Sequence, residues 1–281
     1  MIQPPAPAAA TPAALRSELP RVGIAAALAL ALLLPLVLLD RPPARPRLTV
    51  IGQGDGLSLL IEGTGGGRVL IGGGAGQIDV AAALGRTFRP WDRALDLLVV
   101  AGPRDLPGAV ELVRHGGVRA VAAPAFQSSR TVDAELVALR DACAQAGATL
   151  QVLEGRERIH VGRDNGMTIE VVPVSADGFA FRLAAGRFAA LVSAGAGGMA
   201  EATPVAILLQ PGVEPYRAAL AARPGLLVAP APPPAAVARD SPGAAGGYLL
   251  VVGSAEQATL EIDGASIRLV GPEVRPLDVG A

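Results

Sequence analysis

Lysine is absent from this chain, histidine occurs twice, and cysteine and asparagine occur once each, at Cys143 and Asn165. One cysteine excludes an internal disulfide framework and a CxxC metal module. Aromatic residues make up only 3% of the chain, too few for a base-stacking platform. All 24 basic residues are arginine, set against 25 acidic ones, for a formal net charge of −1. That balance excludes a basic footprint over the whole surface and leaves room only for a local arginine patch. Arginine without lysine, beside abundant alanine, glycine and proline, is the mark of a high-GC coding sequence rather than of a function. With only His115 and His160, any chemistry that depends on several imidazoles is out of reach.

What the chain has in plenty is apolar residues, 51% of its 281. The length suits an anchor plus one domain of about 230 residues, large enough to bury a core. Val22 to Leu39 carries no charge and no polar stripe, and lies between Arg21 and Asp40-Arg41. As a helix it rises about 27 Å, close to the thickness of a bilayer's hydrocarbon core. A signal peptide would have a shorter apolar stretch and a small-residue cleavage site, and Asp40-Arg41-Pro42-Pro43 offers none. We therefore read 1–21 as a disordered N-terminus, 22–39 as a transmembrane helix and 40–46 as a Pro/Arg-rich spacer. A globular domain follows over 47–272, with a tail over 273–281. Arginines on both sides of the span leave its orientation open on charge alone.

Past the spacer the pattern changes to short strands separated by glycines. Arg47–Ile51, Leu57–Glu62 and Arg68–Ile71 read as consecutive strands, and Ile78–Phe88 as a helix. The strand Leu95–Val100, the helix Leu106–His115, the strand Arg119–Ala123 and the helix Val132–Ala146 alternate, which implies parallel pairing with helices packed on the sheet. Strands over Leu150–Leu153, Arg158–Val161, Met167–Val172, Phe179–Ala184, Phe188–Val192 and Val205–Leu209 come next. A short helix at Tyr216–Ala222 and a strand at Leu226–Ala229 precede a Pro/Ala/Gly-rich loop. Tyr248–Val252, Ala258–Ile262 and Ser266–Val270 close the domain, the last two around the Asp263-Gly264 turn. Two mixed halves of similar size predict an internally duplicated α/β sandwich of two sheets with helices outside.

Particular motifs give that sandwich a relative. Val50-Ile51-Gly52-Gln53-Gly54-Asp55 resembles the "DVGQGD" loop, and Leu70-Ile71-Gly72-Gly73-Gly74 the "LIDGG" turn, of the metallo-β-lactamase domain in ComEC-type competence proteins. Thr259 to Ile267 resembles that family's closing hairpin, so the similarity spans roughly Arg47 to Val270. The resemblance implies a four-layer αββα sandwich behind one membrane helix. It further implies an extracytoplasmic setting at the cell membrane, and DNA or DNA-uptake proteins as partners.

The resemblance also implies where a metal pair would sit, and there the sequence departs from it. The family's HxHxDH loop follows a strand like Leu95–Val100; here the chain reads Ala101-Gly102-Pro103-Arg104-Asp105-Leu106-Pro107-Gly108. Pro103, Asp105 and Gly108 fit the loop, but Gly102 and Arg104 stand where ligands are needed. Ser193-Ala194-Gly195 replaces the "TGD" bridging segment, and Gln210-Pro211-Gly212 replaces "HHGS". Imidazole and carboxylate ligands are what lower the pKa of a metal-bound water. On this reading the family-matching residues are Gly52, Gln53, Gly54, Asp55, Pro103, Asp105 and Gly108, with no catalytic residue, no metal and no cofactor. Asp55 is expected to brace its turn, Asp105 to cap the helix at Leu106, His115 to end a helix and His160 to lie on the surface. The alternative is a degenerate hydrolase or nuclease holding one metal through Asp55, Asp79 or Asp105 and a lone histidine.

Overall fold

A computed structural model describes residues 43–270 and 275–276, apart from 55, 74–77, 89–93, 116, 128, 164–165, 176–177, 194–203, 210–212, 235–236, 238–246, 254–255 and 265. The apolar run at 22–39, the N-terminal stretch before it and Asp55 lie outside the described residues. Among those described, no helix is long and apolar enough to cross a membrane. Pro43–Ala281 forms a unit distinct from Met1–Pro42.

The first half of that unit runs β1 (Arg47–Gln53), β2 (Gly56–Glu62), β3 (Arg68–Ile71), α1 (Ile78–Thr87), β4 (Leu97–Val99), α2 (Leu106–Arg114), β5 (Ala120–Pro124), α3 (Arg130–Ala146) and β6 (Thr149–Leu153). The second runs β7 (Arg158–Val161), β8 (Met167–Ser175), β9 (Gly178–Ala185), β10 (Phe188–Ser193), β11 (Val205–Leu208), α4 (Val213–Ala221), β12 (Leu226–Ala229) and β13 (Tyr248–Val251). β14 (Gln257–Asp263), β15 (Ser266–Val270) and β16 (Arg275–Pro276) complete it. Two eight-stranded sheets result, ordered β15-β14-β1-β2-β3-β4-β5-β6 and β16-β13-β12-β11-β10-β9-β8-β7.

Each sheet couples an antiparallel block to three parallel pairs. In the first the switch falls at β3, which is antiparallel to β2 and parallel to β4. In the second it falls at β10, antiparallel to β9 and parallel to β11. The expected internal duplication is visible in this repeat of pairing pattern. The parallel strands read Leu-Leu-Val, Val-Ala-Ile-Leu and Leu-Leu-Val-Ala, apolar at every position because both faces are covered.

Side-chain alternation sorts the core into three clusters. Leu48, Val50, Leu59 and Ile61 face Met167, Ile169, Phe181 and Phe188 between the sheets. Ile51, Leu60, Leu70 and Leu98 point the other way, against α1, α2 and α3. Ala206, Leu208 and Leu227 meet Tyr216 and Leu220 of α4 on the far side of the second sheet. Helix, sheet, sheet, helix: the four expected layers are present.

Several boundaries shift from the expected ones for identifiable reasons. β1 extends through Gly52 and Gln53, because Gln53 pairs with Gly56. Gly54 supplies the positive φ, +46°, that so short a connection needs. Leu95 joins the sheet only through an isolated bridge to Val118, so β4 shrinks to Leu97–Val99. α3 starts at Arg130 because Ser129 Oγ accepts the Val132 N–H at 3.3 Å, and it ends at Gly147, φ +70°. Arg275 and Pro276, in the stretch read as a tail, pair with β13.

Strand direction defines two ends of the sandwich. β1, β3, β4 and β5 finish at one rim, and the Leu57 N–H donating to Leu209 O at 2.8 Å brings the ends of β10 to β13 to the same rim. At the opposite rim the chain enters β1, and the β2–β3 turn meets the β7–β8 turn through Arg163 N–H to Thr64 O at 2.8 Å.

Candidate functional site

The first rim, where the parallel strands of both sheets end, collects the family-matching residues. Gln53 and Ser58 are diagonal neighbours near the tip of the β1–β2 hairpin, where Gln53 pairs with Gly56 and Ser58 with Ile51, on the face turned toward the helices. The Gln53 amide nitrogen donates to Ser58 Oγ, which donates in turn to the Gly72 carbonyl at 2.8 Å. A short relay therefore ties the Gly52–Asp55 loop to the turn after β3. Gln53 is only 5% exposed and its Oε1 has no partner among the described residues, an uncommon state for a buried acceptor.

Glycines here allow backbones to touch. A Cβ on Gly52 would overlap the Gly253 carbonyl, so the loop before β14 can close on β1 only because that Cβ is missing. Gly73 is in the same position against the Asp105 carbonyl and the Ala109 nitrogen, which seats the turn after β3 on the start of α2.

The loop after β4 is a 3₁₀ turn over Pro103–Asp105 leading directly into α2. Asp105 is buried, and its Oδ2 accepts the Ala101 N–H at 3.2 Å and the Gly102 N–H at 3.0 Å. Its own N–H donates to Gly102 O at 3.0 Å. The expected cap of the Leu106 helix is thus corrected: the carboxylate turns back onto the chain that precedes it and makes no side-chain cap bond to α2. The reason lies in Pro103 and Pro107. Proline opens the 3₁₀ turn and lies in the first turn of α2, where its missing N–H is no loss, while the free amides stand at Ala101 and Gly102. Gly108 is buried within α2.

β10 ends on Ser193, fully buried, while Ala194, Gly195 and the Gln210–Gly212 segment lie outside the described residues. Asp79 starts α1, but its side chain is outside the description. Both histidines are at the other end of the molecule. His115 closes α2 with Nδ1 2.9 Å from Glu111 O, as expected of a helix end. His160 is exposed on the edge strand β7, with Nδ1 3.2 Å from Thr168 Oγ1. Among the described residues, no three His, Cys, Asp or Glu side chains come together in a way that could hold a metal ion. The residues at the metal-loop positions do not fit a metal pair, since Gly102 has no ligand atom, Arg104 is a cation and Asp105 is held by amides.

Sequence reasoning missed three residues that organise the sandwich. Ser58 carries the relay, and its only signal is a lone hydroxyl on the helix-facing side of an apolar strand. Glu157 accepts N–H groups of Glu154, of Gly155 at 2.9 Å and of Arg156 at 3.0 Å, where the chain crosses between sheets. Slight burial raises its pKa, but the backbone donors outweigh that and hold it below the usual value. Tyr216 donates its hydroxyl to the Ala231 carbonyl, joining α4 to the loop after β12, and desolvation pushes its pKa up to about 12.

Comparison with known proteins identifies this architecture. No family model and no curated protein matches the sequence. Among solved structures, the metallo-β-lactamase fold protein YhfI from Bacillus subtilis is similar with a TM-score of 0.52 at 14% identity, over 76% of this chain and 99% of that one. Zinc-bound PqqB from Methylobacterium extorquens is similar with a TM-score of 0.41 at 11% identity, over 58% of this chain and 70% of that one. Human tRNase Z, short form, gives 0.39 at 8% identity, over 57% and 76%. The chain has the metallo-β-lactamase fold, and likeness at such identities extends no further than the fold.

Proposed function

We propose that this chain is a membrane-tethered, metal-free relative of the ComEC metallo-β-lactamase domain that works by binding or assembly at the cell envelope, in DNA uptake. The observation that carries the proposal is the loop after β4. Where a hydrolase of this fold would present ligands, a glycine, a proline and an arginine precede an aspartate whose carboxylate is engaged by Ala101 and Gly102 N–H groups. The two histidines sit at the far rim, out of reach of that loop.

The apolar run at 22–39 supports the tether, since its helical length matches a bilayer core. The GQGD loop and the glycine turn after β3 support the ComEC relationship. Their retained residues maintain the shape of the loop rather than any chemistry. The competing reading is a one-metal hydrolase that holds its ion through Asp55, Asp79 or Asp105 and a lone histidine.

Phosphodiester cleavage separates the two. The purified full chain, given single- and double-stranded DNA with Mn²⁺ or Zn²⁺, is expected to show no turnover above buffer. Turnover that disappears in Asp105→Ala would establish the hydrolase instead. Deleting the gene is expected to lower DNA uptake with the membrane intact; normal uptake with a damaged envelope would contradict the assignment to uptake.

A further inference from the structure

We propose that β6, the open edge of the first sheet, is where a second copy of this chain docks, strand against strand about a two-fold axis through Gln151. The pairing goes beyond the function proposed above and needs neither the tether nor a role in DNA uptake.

Four strands end the two sheets, β15 and β6 in the first and β16 and β7 in the second. An open edge is a row of unpaired N–H and C=O groups, and a chain that stays single guards it with charge, proline or a bulge. β15 carries Arg268, β7 carries Arg158 and His160, and β16 is Arg275-Pro276. β6 reads Thr-Leu-Gln-Val-Leu, with no charge and no proline. Its register on β5 runs without a bulge from Thr149 to Leu153. Among the described strands it is the one unguarded edge.

The side chains of β6 are open as well. Thr149, Gln151 and Val152 are exposed, and Val152, at 65%, is the most exposed large apolar side chain among the described residues. Leu150 packs against the core beneath the helices, and Val152, two residues on, shares that face. Val137, 55% exposed, lies on α3, the helix that leads into β6.

The backbone sets the register. β6 is parallel to β5, and the Thr149 N–H donates to Arg119 O at 3.1 Å. Along a parallel pair alternate residues turn their amides to the neighbour, so Thr149, Gln151 and Leu153 face β5. Leu150 and Val152 turn theirs outward. A second copy arriving antiparallel, with Gln151 opposite its own counterpart, sets Leu150 of each copy against Val152 of the other. Both become hydrogen-bonded pairs, four N–H···O bonds in all, and Gln151 falls in the non-bonded pair between them. The two Leu–Val pairs cover the exposed apolar face, and each Gln151 amide offers the other a donor and an acceptor. No charges meet along the strand. The same operation about the middle of β15 would set Arg268 opposite itself, a destabilising pair. A two-fold contact requires a surface complementary to itself, and β6 has one.

A five-residue edge is a small interface, so the dimer is weak and is sought with the purified full chain at high micromolar concentration. Cysteine cross-linking reads contact and register together. Across a non-bonded pair the Cα atoms lie about 4.5 Å apart, within the span of a disulfide. Gln151→Cys is therefore expected to oxidise largely to a linked dimer. Thr149→Cys, with its counterpart about 14 Å away, is expected not to link. The unsubstituted chain should not link either, since Cys143 is buried. Sedimentation gives the reversible reading. Val152→Pro removes two of the four bonds and should raise the dissociation constant at least about tenfold. Because that N–H points away from β5, the variant is expected to keep its fold. Gln151→Glu, a change at an exposed site, sets like charges opposite each other and should raise the constant by up to about fivefold. A chain that stays monomeric, as one whose edge receives some other polypeptide would, overturns the proposal. So does equal linking at positions 149 and 151, or a dimer that neither substitution weakens.

Discussion

Asp105 uses its carboxylate to hold the backbone of its own loop. Two backbone N–H groups reach its Oδ2, and the carboxylate is buried beneath α2. Removing it leaves Ala101 and Gly102 N–H groups in a dry loop. Asp105→Ala is expected to lower stability by about 1–3 kcal/mol, the usual loss when buried donors are stranded beside a missing charged acceptor. Chemical denaturation reads this directly, and an unchanged midpoint would mean that the loop does not depend on the carboxylate. Gly52 makes the complementary case, a residue needed for what it lacks. Gly52→Ala forces β1 away from Gly253 and is expected to lose at least about 2 kcal/mol, because the obstacle is backbone and cannot rotate aside. A well-folded variant of wild-type stability would show that the contact is dispensable.

At the scale of elements, the crossover from β6 to β7 hangs on one carboxylate. Glu157 takes N–H groups from Glu154, Gly155 and Arg156, and its folded pKa is lowered. A lowered carboxylate pKa contributes stability above its unfolded value, about 4.3, and that contribution is lost as pH falls through the folded pKa. Glu157→Gln should therefore have a lower Tm than wild type near neutral pH, and the difference should close in acid below about pH 4. A gap that persists or widens in acid would contradict this account of the turn.

Most of the strands were legible from the sequence, since stretches such as Leu57–Glu62 and Ser266–Val270 announce themselves through apolar runs, alternation and glycine turns. The parts that were not legible depend on distance in the chain or on angle. Ser58 matters because of Gly72, brought beside it only by the β2–β3 pairing. The direction of the Asp105 carboxylate follows from a 3₁₀ turn that periodicity does not reveal. The positive φ of Arg223, +51°, just past the end of α4, has no trace in composition at all. The ComEC likeness rests on short motifs, and the comparison with solved structures shows the fold alone.

Over the whole molecule, the parallel strands of both sheets end at one rim, beside the glycine contacts and the braced loop after β4, and the chain enters β1 at the other. The central claim is that the first rim binds no metal. Elemental analysis of the full chain, purified in detergent without chelator after growth with added zinc and manganese, tests it most directly. Transition metal far below one equivalent per chain is the expected result. A stoichiometric metal, lost on Asp105→Ala, would contradict the account.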